Sequence, residues 1–334
     1  MKLNLKNKSI LITGATGSFG KSFLKRILSS YSDDIKSLIL FSRDELKQFD
    51  LKESLTKNQN KKLLYRIGDI RDYDRVKEIS KGVDIIIHAA ALKQVPASEF
   101  NPYEFIKTNI LGSENIIRAA NENRVTKVIA LSTDKACSPI NLYGATKLCS
   151  DKLFTTANNI TSKSFFSVVR YGNVLGSRGS VFPIFLKQSK EGYFTVTDKR
   201  MTRFHITLDE AVDMVIWSLK NMLGGEIFVP KIPSYKLIDV IKAFNPRNKV
   251  KYIGVRPGEK IHEEMISSSD SLNTVDLGKY YAIVSNSGPL TPKEYAKKLN
   301  KKLVKEGFSY SSDNNNDFLS ISELEKIIKK EFLS

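Results

Sequence analysis

Residues 9–30 leave the chain little choice of fold. Ser9-Ile10-Leu11-Ile12-Thr13 is a short, apolar, β-rich run. Gly14-Ala15-Thr16-Gly17-Ser18-Phe19-Gly20 follows without a break, and a helical pattern occupies residues 21–30. Strand, glycine turn and helix, in that order, open a dinucleotide-binding βα unit. The glycines let backbone approach a pyrophosphate, and the helix N-terminus favours its negative charge. The spacing is G-x-x-G-x-x-G rather than G-x-G-x-x-G, which leaves that physics unchanged.

The rhythm continues downstream. Residues 38–41, 63–67, 83–88 and 128–131 are apolar runs separated by helical stretches, one of them starting at Asn101-Pro102 and reaching about Asn123. This alternation predicts an α/β fold built on a doubly wound parallel Rossmann sheet. A further strand at 165–170 leads into Gly-, Ser- and Arg-containing sequence before Pro183, where the rhythm breaks. We therefore expect a smaller α/β C-terminal substrate domain. The predicted boundaries are 1–172 for the cofactor-binding domain, with a returning segment near 206–230, and 173–205 plus 231–334 for the substrate-binding region.

Strand tips select the cofactor. An acidic side chain at the end of the second strand would bind a ribose 2'-hydroxyl and prefer NAD. Here Ser42 and Arg43 come first and Lys47 lies one turn on, which favours the 2'-phosphate of NADP, although Asp44 stands between them. Asp69, at the third tip, either accepts from an adenine amino group or closes an Asx turn. The fourth strand runs through His88, read as a packed core residue, into Ala89-Ala90-Ala91, whose small side chains let a cofactor pass. Lys93 follows in a loop, within range of a substrate.

Residues 131–147 carry the densest chemistry. Thr133, Asp134 and Lys135 place a hydroxyl, a carboxylate and an ammonium side by side, and Tyr143 and Lys147 are four residues apart. On a helix that spacing puts phenol and ammonium on one face. A neighbouring cation favours phenolate, so Lys147 is expected to lower the Tyr143 pKa and make it a usable base. Downstream, Arg178 and Arg256 sit in turn-like sequence suited to phosphate, and Met201-Thr202-Arg203-Phe204-His205 adds another arginine.

Composition narrows the partners. The net charge is +17 over 334 residues. The cations are largely dispersed lysines, without the compact arginine-rich, aromatic-interleaved patch of a nucleic-acid binder. Solvated helix faces, and attraction of small anionic nucleotides, account for them. No apolar run approaches the ~20 residues that span a bilayer. The N-terminus lacks a signal-peptide pattern, so a cytoplasmic protein is expected. Cys137 and Cys149 have no Cys/His array beside them, so no metal site is expected.

Gly14, Gly17 and Gly20 together with Tyr143-x-x-x-Lys147 resemble the extended short-chain dehydrogenase/reductase superfamily. Thr133-Asp134-Lys135 resembles its nucleotide-sugar 4,6-dehydratase branch. The segments S-R-D-E-L-K-Q (42–48), N-P-Y-E-F-I-K-T-N-I (101–110), S-T-D-K-A (132–136), N-L-Y-G-A-T-K-L (141–148), R-Y-G-N-V (170–174), G-S-R-G-S-V (176–181) and R-P-G-E-K (256–260) are similar to the inverting UDP-N-acetylglucosamine 4,6-dehydratases that open pseudaminic acid synthesis. The resemblance departs at Gln94, where histidine is expected, and at His205, where tryptophan is expected.

The resemblance implies a hydro-lyase acting on UDP-N-acetylglucosamine with NADP recycled in each turnover, and a homo-oligomer, a hexamer by family. It implies that Tyr143 moves the C4 hydroxyl proton with help from Thr133. Lys135 would be the base at C5, which needs a depressed pKa, and Asp134 the acid at C6, which needs a raised one. NADP would be held by Gly14, Thr16, Gly17, Ser18, Phe19, Gly20, Ser42, Arg43, Lys47, Asp69, Ile70, Ala89, Thr108, Tyr143 and Lys147. The UDP-sugar would meet Lys93, Lys135, Asn173, Arg178, Ser180, Val181, Arg203, Arg256 and Glu259. A C5-retaining dehydratase, a UDP-sugar epimerase or reductase, and a non-catalytic NADP-binding regulator are the alternatives.

Overall fold

The structure is a computed structural model that describes residues 3–160, 163–175, 181–286 and 288–332. Its main sheet begins with the predicted strands β1 (Ser9–Thr13), β2 (Ser37–Ser42), β3 (Leu63–Ile67), β4 (Ile85–His88), β5 (Lys127–Thr133) and β6 (Phe165–Tyr171). They lie in the order β3-β2-β1-β4-β5-β6, all parallel, with strand Glu226–Pro230 parallel beside β6. The chain crosses from the β3 edge back to the middle of the sheet, so the strand order reverses between β1 and β4. In open α/β sheets the crevice at such a switch point is where ligands bind.

The sheet is longer than the sequence rhythm predicts. Strands Tyr280–Val284, Thr274–Asp276 and Lys302–Leu303 add to it in antiparallel fashion beyond Glu226–Pro230, giving ten strands. Part of the segment 231–334, which sequence reading assigns to the substrate region, thus returns to the sheet. These strands are only two to five residues long, too short for periodicity to separate them from loop.

One core fills the space between sheet and helices, with Ile10, Leu11, Ile12, Ile86, Ile87, Val128 and Ile129 at its centre. These central strands are buried on both faces, and they read as continuous apolar runs for that reason. A second, smaller core of Phe182, Phe185, Phe194, Tyr235, Val240 and Leu324 holds a separate lobe. It packs helices Val181–Glu191, Leu237–Phe244 and Ile321–Phe332 around short strand pairs. Phe182 stacks on Phe332 at 5.9 Å. The last helix starts on a capping box: Ser320 Oγ accepts from the Glu323 amide, and the Glu323 carboxylate accepts from the Ser320 amide at 2.8 Å.

Two local differences bear on the site. Helix Val95–Phe100 occupies part of what reads as loop. The expected single helix after Pro102 contains a π-helical turn, Ile106–Leu111. Such insertions are frequent at functional sites, and this one carries Thr108.

Candidate active site

The cofactor crevice is built mainly from backbone. Gly14 ends β1 with φ of +68°, and a Cβ there would lie 2.9 Å from the Ala90 nitrogen. Only glycine fits both the left-handed conformation and that approach. The Thr13 hydroxyl accepts from the Ala89 and Ala90 amides at 3.1 Å and pairs with His88 Nδ1 at 2.9 Å, fixing the ends of β1 and β4 to each other. Burial drives the His88 pKa down to about 3, so it is a neutral packed residue. The resulting cavity, about 280 Å³, is lined by Gly14, Thr16, Gly17, Ser42, Arg43, Lys47, Asp69, Ile70, Ala89 and Thr108 among others. That brings ten residues predicted for the dinucleotide to one crevice.

The donor set fits such a ligand. Helix Ser18–Ser30 has Gly17 at its N-cap and no side-chain cap, so its first amides remain available to an anion. Thr108 Oγ1 is buried and finds no hydrogen-bond partner among the described residues, an orphan polar atom in the wall of the crevice. The Ser42 hydroxyl is held by Gln48 Nε2 at 2.9 Å. Arg43 pairs with Asp69 at 3.6 Å, and Lys47 pairs with Asp44. Asp69 closes the Asx turn, accepting from the Arg71 amide at 3.0 Å, and still faces the crevice.

The chemical end lies where β5 stops. Asn141 caps helix Leu142–Thr156 by accepting from the Gly144 amide. The first turn of this helix presses on the Lys135 segment so closely that a Cβ on Gly144 would stand 2.2 Å from the Lys135 carbonyl oxygen. The same turn carries Tyr143, whose phenol feels the Lys135 cation and the Thr133 hydroxyl. The Thr133 hydroxyl donates to Asp134 Oδ1 at 3.0 Å, and Lys135 Nζ donates to the same oxygen at 3.0 Å. Lys147 is buried and donates to the Leu131 carbonyl at 2.7 Å.

Two expectations about proton affinity are corrected. Lys147 was expected to lower the Tyr143 pKa. Burial instead pushes the phenol up to about 12, and the cation that most opposes the rise is Lys135. The Lys147 ammonium is spent on the Leu131 carbonyl, and its own pKa is lowered by burial. Lys135 was expected to be depressed. Burial does work against its charge, but the carboxylates of Asp134 and Glu263 prevail and hold its pKa above the usual lysine range. Asp134 goes the way its predicted role needs: it is fully buried, and burial followed by Glu263 raises its pKa.

The substrate-side residues divide. Asn173 reaches Lys135 Nζ at 3.4 Å. Glu259 and Arg256 lie on the turn before Lys260. That turn docks on the Lys135–Tyr143 segment, with Asn141 Nδ2 donating to the Gly258 carbonyl at 2.8 Å and Lys260 Nζ to the Cys137 carbonyl at 2.6 Å. Arg203 is buried, and its guanidinium donates to the carbonyls of Thr202, Lys260 and Ile261 while pairing with Glu259 at 3.6 Å and Glu263 at 3.7 Å. Val181 opens its helix against the second core. Lys93 stands just before helix Val95–Phe100. Arg178 and Ser180 lie outside the described residues.

Sequence reasoning missed Glu263. It is 2% exposed and its Oε1 stands 3.0 Å from Lys135 Nζ. It lies 128 positions from Lys135 in the chain, and no spacing rule links them. Among the described residues no group of three or more metal-ligating side chains is placed to hold an ion, and no helix is long and apolar enough to cross a membrane.

The polysaccharide biosynthesis protein family matches residues 10–285. The chain belongs to that family. A Campylobacter jejuni relative, "UDP-N-acetylglucosamine 4,6-dehydratase (inverting)", is 52% identical over 96% of this chain and 97% of its own length. A Rickettsia bellii relative, "UDP-glucose 4-epimerase", is 45% identical over 89% of each. Among solved structures, Pen from Bacillus thuringiensis superimposes with a TM-score of 0.87 at 39% identity, covering 99% of both chains. DesIV, a dTDP-glucose 4,6-dehydratase from Streptomyces venezuelae solved with NAD, shares the fold at a TM-score of 0.65 and 20% identity, over 76% of this chain and 86% of its own.

Proposed function

We infer that this polysaccharide biosynthesis protein is an NADP-dependent hydro-lyase that removes water from UDP-N-acetylglucosamine and inverts C5, the first step towards pseudaminic acid. The observation that carries the reading is the Asp134–Lys135 pair within reach of Tyr143. Oxidation at C4 alone needs only the Tyr143 end of this cluster. Loss of water across C5 and C6 needs a second base and a second acid, and the neighbouring amine and carboxyl supply both.

The residues divide the proton work. Tyr143 takes the C4 hydroxyl proton, with Thr133 orienting the hydroxyl. The 4-ketone acidifies C5, and Lys135 Nζ takes that proton from its deprotonated form, which a neighbouring nicotinamide cation would favour against the Asp134 and Glu263 carboxylates. Asp134, whose proton affinity burial raises, gives its proton to the C6 hydroxyl as water leaves. Return of a proton to the opposite face of C5 inverts it. A nicotinamide dinucleotide, which Gly14, Thr16, Gly17, Ser42, Arg43, Lys47 and Thr108 would hold, would supply reversible hydride exchange with the sugar and so be recycled. Its positive ring would also draw the Tyr143 phenol down from about 12.

Ser42, Arg43 and Lys47, which line the crevice beside Asp44, support the choice of NADP over NAD. Among the described residues we assign Lys93, Lys135, Asn173, Val181, Arg256 and Glu259 to the UDP-sugar. Arg203 is assigned the same ligand through the turn it braces. We read the protein as a cytoplasmic homo-oligomer, with mass measured in solution as the check.

A second reading has a specific observation behind it, since a 45% identical relative carries the name UDP-glucose 4-epimerase. The two readings part at Asp134. Incubation of the parent and Asp134→Asn with UDP-N-acetylglucosamine and NADP+ decides between them. A dehydratase yields a 6-deoxy-4-keto sugar that the variant makes at least a hundredfold more slowly. An epimerase yields the C4 epimer and keeps full turnover in the variant.

A further inference from the structure

We propose that Glu263 is a positioning residue that holds the Lys135 amine beside Asp134 and governs when that amine can accept a proton. The inference rests on the dehydratase reading and adds a residue to it. Glu263 comes from a distant segment of the chain, just before strand Glu264–Ile266. Its backbone is fixed on both sides by Ser312, whose amide donates to the Glu263 carbonyl at 2.7 Å and whose hydroxyl accepts from the Glu263 amide at 2.9 Å. A carboxylate on so fixed a backbone can set the position of a flexible lysine, which otherwise has rotamer entropy to lose.

The contacts say which cation Glu263 serves. Its Oε1 is 3.0 Å from Lys135 Nζ and 3.7 Å from Arg203 Nε. Arg203 already donates to three backbone carbonyls, so it does not depend on Glu263 for its hydrogen bonds. Lys135 is different, because its described partners are Asp134, Glu263 and Asn173. Glu263 Oε2 and Asp134 Oδ2 are both buried with no hydrogen-bond partner among the described residues. A carboxylate with one oxygen unsatisfied is costly to bury for structure alone.

The groups facing this cluster come from several elements. Thr133 ends β5 and Asp134 and Lys135 follow it, Tyr143 comes from helix Leu142–Thr156, Arg203 and Tyr235 from paired strands, and Lys260 from the adjoining turn. Their field treats the two carboxyls oppositely. Asp134 is pushed towards its neutral form by burial and Glu263. For Glu263, burial is overcome by Lys135 and Arg203, which keep it ionised. One carboxyl is left to give a proton and the other to stay a counter-ion, the division that separates acid from spectator in paired carboxylates. Removing the Glu263 charge therefore lets Lys135 shed its proton at lower pH.

The test is a pH profile of deuterium incorporation at C5 in D2O, with UDP-N-acetylglucosamine and NADP+, for the parent, Glu263→Gln and Glu263→Asp. In Glu263→Gln the acid limb moves to lower pH by about one unit, a tenfold change in proton affinity. In that variant kcat falls while KM holds, and Glu263→Asp returns the limb towards the parent position. The Lys135 amine is also titrated in the ligand-free protein, by pH-dependent acylation mapped with mass spectrometry. It follows the same order even if a variant turns over too slowly to profile. A limb and an amine titration that stay in place in Glu263→Gln overturn the proposal. If the parent itself forms no 6-deoxy-4-keto product, the dehydratase reading has failed instead, a result the amine titration distinguishes.

Discussion

The two ends of the active site are built from different materials. The cofactor crevice is made largely of backbone and small side chains at four neighbouring strand tips, Gly14 after β1, Ser42 on β2, Gly68 after β3 and Ala89 after β4, with Arg43, Lys47 and Asp69 also in its lining. The chemical end is made of charged side chains from segments far apart, Asp134 and Lys135, Arg203, Glu259 and Glu263, with the Asn173 amide beside them. Backbone geometry is local, so a short motif encodes it. A buried charge needs partners wherever the fold can bring them, so no single motif contains the chemical end.

The comparison breaks first at Lys135. Lys135→Met should cost about a thousandfold in 6-deoxy-4-keto product, within the range of a lost general base. C4 oxidation should persist, read as reduced cofactor in a single turnover. Equal loss of both steps would mean the chemical end is one inseparable unit. Next is Gly144, where the helix meets the Lys135 segment. Gly144→Ala should destabilise the fold by about 1–3 kcal/mol in denaturant melts, as overpacking does, because its Cβ meets backbone at 2.2 Å.

The third prediction concerns the cofactor end. His88 has a folded pKa lowered to about 3 from an ordinary 6.5. The unfolded chain therefore binds its proton first, and stability is lost as pH falls from about 6.5 towards 3. His88→Gln should flatten the dependence of melting temperature on pH across that window. The smallest effect is at Arg43. Arg43→Ala should weaken NADP+ binding about tenfold relative to NAD+, the value of one charge-assisted contact, read by titration calorimetry with both dinucleotides.

What was legible in the sequence follows the same division. The parallel strands and the Gly14–Gly20 turn were readable because apolar runs and glycines act locally. So was the Thr133-Asp134-Lys135 triple, which is contiguous. The short antiparallel strands 274–276 and 302–303 were not readable, since pairing rather than pattern makes them strands. Glu263 was not readable because a buried carboxylate looks like any surface glutamate until its partner is placed. The proton affinities of Tyr143 and Lys135 were misjudged for a related reason. Burial, which raises Tyr143, and Glu263, which joins Asp134 in raising Lys135, are both set by the fold.

The central claim is that the Asp134–Lys135 end turns an oxidation into a C5-inverting loss of water. The most direct measurement is NMR of the product formed from UDP-N-acetylglucosamine and NADP+ in D2O. A 6-deoxy-4-keto sugar with deuterium at C5 and the L configuration is the predicted result. A product of D configuration at C5, or a C4 epimer that keeps its C6 hydroxyl, would contradict it.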